Sequence, residues 1–255
     1  MGEYFIGSDG ELYHYGVKGM KWGVRRYQNP DGTLTDAGKK RVYKTLKKYS
    51  NSKDRRDSLG RAVGEDDAIA EAARKVMPAR MRVTEVSLRQ SKLIHEMERT
   101  YEKEIDRLWY DKRYTDQQKE DMAWDTVEKK YGKQRDDLQK EYQKTKDDYD
   151  RVVKDVANEY LGKYGDMPVS KVAKYKKPFT AAEALAIQME WGSWKVKPTP
   201  DEAKGIQEVK DWYENEAVKI RKGVTDGTIS KEESYSMWDD LDIEAQRRTN
   251  RVYGV

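Results

Sequence analysis

Apolar residues recur every third, fourth or seventh position along most of this chain, which is the period of an amphipathic helix rather than of a strand. Val42, Leu46 and Tyr49 give one narrow stripe on a helix predicted over about 36–49, with Thr35 as its cap and Asp36 in its first turn. Ile69, Ala72, Ala73 and Val76 form the stripe of a short helix that opens on Glu65-Asp66-Asp67 and ends before Pro78. Two long helices follow. Thr84 is placed to cap the first, over roughly 85–113, with Val86, Leu93, Met97, Tyr101, Ile105 and Leu108 on one face. Thr115 and Gln118 make a capping box for the second, whose stripe runs Trp124, Val127, Tyr131, Leu138, Tyr142, Tyr149, Val152, Val156 and Tyr160. This heptad-like spacing predicts an antiparallel hairpin or coiled coil, broken only by the weak helix former Gly132. A second helix of that length reaches about 70 Å, so its stripe needs cover from other elements or from another copy of the chain.

Beyond a break at Gly162–Lys177, three helix starts carry good cap chemistry. Thr180 with Glu183 is a capping box, with Phe179 placed as a hydrophobic staple. Thr199-Pro200-Asp201-Glu202 adds a proline at the first helical position, and Ser230 with Glu233 repeats the box. The last two helices, about 200–222 and 231–252, are joined by a short connection with Gly223 and Gly227, which predicts an antiparallel hairpin. Trp191, Trp194, Trp212 and Trp238 are expected to form its small core. At the other end of the chain the period switches to two. Tyr4-Phe5-Ile6 and Glu11–Tyr15 read as short strands around Gly7-Ser8-Asp9-Gly10. The expected fold is therefore mainly α: an elongated helical hairpin with a small N-terminal β-hairpin module and a C-terminal helical hairpin. The predicted segments are 1–49 (β-hairpin, turn and basic helix), 50–82 (linker with a short helix), 83–162 (long hairpin) and 178–255 (C-terminal hairpin).

Composition supports thin apolar stripes over a large core. Charged residues make up 38% of the chain, against roughly 25% in ordinary globular proteins, and there are only 2 Phe beside 18 Tyr and 7 Trp. The net charge of +4 is unevenly distributed. Residues 1–56 carry 13 Lys+Arg and 6 Asp+Glu, a balance of +7, which leaves −3 for the rest. The N-terminal fifth is thus the electropositive pole and favours anionic partners. The chain has no cysteine, so disulfides and thiolate metal sites are excluded. No apolar run approaches the ~18 residues of a membrane span, and Ile6 stands where a myristoylation signal requires Ser or Thr. The expectation is a soluble, intracellular protein with no membrane partner and no cofactor.

Catalytic signatures are absent. His14 and His95 are the two histidines, and His95-Glu96-Met97-Glu98-Arg99 lacks the second histidine of a zinc-protease helix. Lys222–Glu233 aligns with a calcium loop at Gly227, Ile229 and Glu233, but Lys222 and Val224 occupy positions that need oxygen ligands. It reads as a turn feeding a helix cap. The chain is expected not to be an enzyme and to need no metal.

One stretch escapes the helical period. Between Tyr13 and Tyr27 lie three glycines, four cations and four aromatics. Gly16-Val17-Lys18-Gly19 has the G-x-x-G form with which some domains clamp a nucleic-acid backbone, and cations among Tyr15, Trp22 and Tyr27 suit phosphate pairing and base stacking. The basic helix behind it adds Lys39, Lys40, Arg41, Lys44, Lys47 and Lys48. The alternative is a compact glycine turn whose aromatics pack on that helix. His14–Thr35, followed by Ala37-Gly38-Lys39-Lys40-Arg41, resembles a module found in structural and head-associated proteins of tailed phages and prophages of Firmicutes. Its core there is G-V-K-G-M-K-W-G-V-R, continued by an N-x-D-G-[ST]-L-T-x-A-G-K-x-R-Y-like run; here Val42 precedes Tyr43. The module is attached to otherwise dissimilar proteins. The resemblance implies a non-enzymatic phage protein whose module docks on a head or assembly component. Its contact residues would be Tyr15, Gly16, Lys18, Gly19, Met20, Lys21, Trp22, Gly23, Arg25, Arg26 and Tyr27. The long helices would then serve as spacer and self-association surface, in the cytoplasm of the host bacterium during assembly and in the virion. Nucleic-acid binding through the basic N-terminal region is the second expectation.

Overall fold

A computed structural model describes residues 5–6, 12–13, 27, 29, 33–50, 67–169, 180–192, 196 and 198–255, with the backbone alone at 5–6, 12–13, 48–50, 67–71 and 190–192. The chain is mainly helical. Its described helices are α1 (Asp36–Ser50), α2 (Asp67–Leu108), α3 (Asp116–Leu161), α4 (Ala181–Gly192), α5 (Pro200–Asp226) and α6 (Lys231–Val252), with a 3-10 turn at Gly162–Tyr164. Two short strands, β1 (Phe5–Ile6) and β2 (Leu12–Tyr13), pair antiparallel with Phe5 opposite Tyr13 and Ile6 opposite Leu12. Residues 7–11 and 51–66, where the sequence predicts a turn and a linker, lie outside the described residues.

The chain divides into two compact units, Met1–Ala68 with Ala157–Gln188, and Ile69–Val156 with Met189–Val255. In the first, α1 turns Val42 and Leu46 inward, four residues apart, and both are buried together with Leu34 just before the helix. Ala157, Tyr160 and Leu161 from the last turn of α3 are buried in this unit, as are Ala181, Ala182, Ala184 and Leu185 of α4. Tyr43 of α1 stacks on Tyr164 of the 3-10 turn with ring centroids 5.5 Å apart. The first amides of α4, which have no partner inside the helix, donate to loop carbonyls: Ala181 to Met167 and Ala182 to Gly165, both at 2.9 Å.

The second unit is built on α2 and α3. Val86 and Leu93 pack with Val127, Tyr131 and Leu138, and Met97, Tyr101 and Tyr142 close the seam. Gln90 donates to Gln139 at 2.9 Å and the Thr100 hydroxyl meets the Tyr131 hydroxyl at 3.1 Å, so position numbers fall on one helix as they rise on the other. The pair is antiparallel. Thr115 and Gln118 exchange cap hydrogen bonds at the start of α3, and the helix runs unbroken through Gly132. In the connecting turn Asp111 accepts from both the backbone and the guanidinium of Arg113, which holds its carboxyl down at about 2.

One element differs from its sequence pattern. The short helix expected to stop at Pro78 and the separate helix capped by Thr84 are a single 42-residue helix, α2, with Pro78 inside it. Proline removes one helical hydrogen bond and crowds the carbonyl four residues back, so it usually ends a helix. Here Val76, Met77 and Ala79 are buried on either side of Pro78, with Ala72 and Ala73 one turn earlier. Packing of that face holds the turn in place. Thr84 does not cap; its hydroxyl donates back to the Arg80 carbonyl at 3.1 Å, within the same helix.

The C-terminal hairpin has its own core of Ala217, Ile220 and Leu241, flanked by Trp212, Tyr213 and Trp238. The Arg248 guanidinium lies 3.8 Å over the Trp212 ring, and the Tyr213 hydroxyl donates to Asp242 at 2.9 Å. Burial, helped by Asp242, pushes the Tyr213 phenol up. The side chains of Trp191 and Trp194 lie outside the described residues. Both helices open on full capping boxes, Thr199 with Glu202 and Ser230 with Glu233. Gly227 ends α5 at φ 76°, the left-handed conformation that a side chain disfavours.

Candidate functional site

The sequence places the candidate site in the N-terminal module and the basic helix behind it. Tyr15, Gly16, Lys18, Gly19, Met20, Lys21, Trp22, Gly23, Arg25 and Arg26 lie outside the described residues, and so does the side chain of Lys48. What is described is the seam joining the module to α1. Asn29 closes a turn with Thr33 twice, backbone amide to carbonyl at 2.7 Å and side-chain amide to hydroxyl at 2.8 Å. The chain then doubles back, and the Thr35 amide donates to the Tyr27 carbonyl at 3.1 Å. Thr35 caps α1 through its hydroxyl, which accepts from the Gly38 amide at 3.1 Å.

This arrangement explains the glycine of Ala37-Gly38-Lys39. A Cβ at Gly38 would sit 2.2 Å from the Tyr27 carbonyl oxygen and 3.1 Å from a methyl of Leu34. The obstacle is backbone, already committed to Thr35, so it cannot swing aside. Only glycine lets the backbone at Tyr27 lie directly on the helix. Sequence reasoning singled out the cations and aromatics and passed over Gly38, because its role depends on a contact eleven residues away.

Tyr27 is fixed by a second contact. The Arg41 guanidinium lies 4.7 Å from the centroid of its ring, one and a half helical turns beyond the cap. Of the sequence-predicted cations, Lys40, Arg41, Lys44 and Lys47 are exposed on α1 and Lys39 is half-buried, its side chain lying against Gly162. Lys40 and Lys44 make no hydrogen bond or ion pair among the described residues. Asp36 is the single carboxylate of the helix against six cations. The buried stripe on the other side orients these charges outward, so the helix presents one cationic face beside Tyr27. Such a face can neutralise phosphates or carboxylates.

Elsewhere, a groove of about 660 Å³ runs between α2, α3 and α6 in the second unit. Its charges are largely satisfied internally. Arg89 pairs with Glu141 at 2.6 Å, Lys92 with Asp240, and Arg247 with Glu85 at 2.9 Å. In the α5–α6 turn, Asp226 accepts from the Thr228 hydroxyl and amide at 2.6 and 3.1 Å, and Glu233 accepts from the Ser230 amide at 2.9 Å. These bonds hold both carboxyls below their ordinary values and serve the turn and the cap. Among the described residues no group of three or more His, Cys, Asp or Glu is placed to hold a metal, and no helix is long and apolar enough to cross a membrane.

Residues 6–29 match a family of unknown function, DUF7211. That span runs from β1 through the glycine-rich basic stretch to Asn29, where the described seam with α1 begins. No curated protein and no solved structure matches the chain.

Proposed function

We propose that the chain is a non-enzymatic structural or virion-associated protein of a phage or prophage, with the N-terminal module as docking element and the long helices as spacer and self-association surface. The reading places it in the host cytoplasm during assembly and in the particle afterwards. It rests on the string from His14 to Arg41, which resembles the module of such proteins. The seam at Tyr27 and Gly38 supports it: the module's end is pinned to a capped, buried-faced helix, which gives a docking segment a rigid base. The partner is a protein of the head or its assembly machinery. Mass spectrometry of purified particles should detect the chain, and its reproducible absence overturns the virion assignment. Trp22→Ala with Arg25→Ala should abolish recruitment to particles while leaving far-UV helicity unchanged; recruitment that survives the double substitution rules the module out as docking element.

A second reading is favoured by one observation, the cationic face of α1 beside Tyr27. Under it the region binds nucleic acid through phosphate contacts. Affinity would then fall steeply and linearly in log–log coordinates as salt rises. Lys40→Gln with Lys44→Gln should reduce that slope by about 2, since each phosphate contact contributes roughly one unit. A flat salt dependence, or no binding at low salt, removes this reading.

A further inference from the structure

The hydrogen bonds and ion pairs between the C-terminal hairpin and α2 join charged and amide side chains, with buried Ile243 of α6 lining the same groove as Leu93, whereas the hairpin's own two helices meet through an apolar core. Glu85 of α2 accepts from Arg247 and from Asn250 of α6, both at 2.9 Å. Asn250 is buried at 4% exposure, and its remaining side-chain oxygen accepts from Gln246 at 2.8 Å. Further along, Lys92 pairs with Asp240 and His95 lies 3.1 Å from Asp239. At the opposite end, Arg74 pairs with Glu202 in the first turn of α5. These contacts follow α2 for more than five helical turns, on the flank that α3 leaves open.

The two kinds of contact respond differently to solvent. Partly exposed ion pairs are screened as ionic strength rises, with a Debye length of about 3 Å at 1 M salt against about 10 Å at 0.1 M. Apolar burial is not weakened by such screening. Within the hairpin, the core of Ala217, Ile220 and Leu241 with Trp212, Tyr213 and Trp238 draws no residue from α2, and Gly205 faces Val252 near its open end. The hairpin therefore has what it needs to persist as a folded piece once the ionic contacts loosen.

We propose that the α5–α6 hairpin is a releasable arm, clasped to α2 by a polar network centred on Glu85, which detaches as a folded unit and uncovers the flank of α2 carrying Arg74, Lys92 and His95. The uncovered flank offers Arg74 and Lys92 where Glu202 and Asp240 now sit, with Glu85 between them, so it suits a partner segment bearing carboxylates at those two positions and a hydrogen-bond donor between. Release and exposure are a single event in this device.

The chain has no cysteine, so thiols introduced at exposed Ser87 of α2 and Glu208 of α5 accept a spectroscopic pair at known positions. Inter-label distance in the full chain should lengthen as NaCl is raised from about 0.05 to about 1 M, while far-UV helicity stays constant. Glu85→Arg should give the long distance already at low salt, and Glu85→Arg combined with Arg247→Glu should restore the short one. A distance unchanged by both salt and Glu85→Arg overturns the proposal. So does a distance that lengthens only together with loss of helicity, because the hairpin then unfolds instead of detaching. If the charge swap fails to restore the short distance, Glu85 is not the centre of the clasp.

Discussion

Two glycines inside long helices should respond oppositely to the same substitution. In a helix interior alanine is favoured over glycine by about 1 kcal/mol, so each replacement begins with a gain of that size. At Gly132 of α3 the new Cβ would first meet the Glu128 carboxylate, 2.5 Å from its Oε1. Glu128 is 56% exposed and can rotate away, giving up its ion pair with Arg135. An exposed pair contributes ~0–1 kcal/mol, so Gly132→Ala should fall between neutral and about 1 kcal/mol more stable. At Gly223 of α5 the Cβ would lie 2.3, 2.7 and 3.3 Å from Cδ1, Cγ1 and Cβ of Ile229. Rotating the side chain relieves the first two contacts and not the third. Ile229 is also tethered, its amide donating to the Gly223 carbonyl at 2.9 Å, and Gly227 sets the path of the turn. Overpacking of this kind costs about 1–3 kcal/mol and the strained hydrogen bond about 1 more, so Gly223→Ala should be ~1–3 kcal/mol less stable after the propensity gain. Native-state hydrogen exchange reads each site locally, at residues 127–138 and at residues 217–241. Urea unfolding followed by helicity gives the global value. If Gly223→Ala proves as stable as Gly132→Ala, the close packing assigned to the α5–α6 turn is wrong.

Three other outcomes test separate parts of the molecule. Gly38→Ala should detach Tyr27 from α1, seen as faster exchange of the Thr35 amide, with a loss of about 1–3 kcal/mol from overpacking; unchanged protection there refutes the seam. Gln188 is fully buried and, among the described residues, neither its side-chain nitrogen nor its oxygen has a hydrogen-bond partner, so Gln188→Met should stabilise the first unit by ~1–3 kcal/mol in thermal unfolding. Glu202 gives a pH dependence. Burial raises its carboxyl, but hydrogen bonds from Arg74 and from Thr199 outweigh that and leave it below its ordinary value of 4.5. A folded-state value below the unfolded one means that its stabilisation is complete above about pH 4.5 and is lost as pH falls through the folded-state value. Glu202→Gln should accordingly flatten acid unfolding in that window, measured by helicity against pH; an unchanged acid limb refutes the assignment.

How much of this was legible in the chain depends on distance along it. The helix starts at Thr35, Thr115, Thr180, Thr199 and Ser230 could be read directly, since each cap closes within three residues. The α2–α3 seam was legible too, because helical geometry alone puts Val86, Leu93, Val127, Tyr131 and Leu138 on single faces. The basic face of α1 followed in the same way from the opposite, buried stripe. Pro78 misled because a local rule, that proline ends a helix, was overridden by burial of Val76, Met77 and Ala79.

Sequence by itself determined the helical class, the caps, the stripes and the electropositive N-terminal segment, all of which are set by interactions between near neighbours. Tertiary structure alone decided which faces meet. The close approach of Tyr27 to Gly38 and the joining of Glu85 to Arg247 and Asn250 are choices among many chemically equivalent partners. In a chain that is 38% charged, almost any cation could pair with almost any carboxylate. Those pairings become specific only when packing of the apolar stripes has fixed the helices in register, since an exposed ion pair contributes too little to set that register on its own.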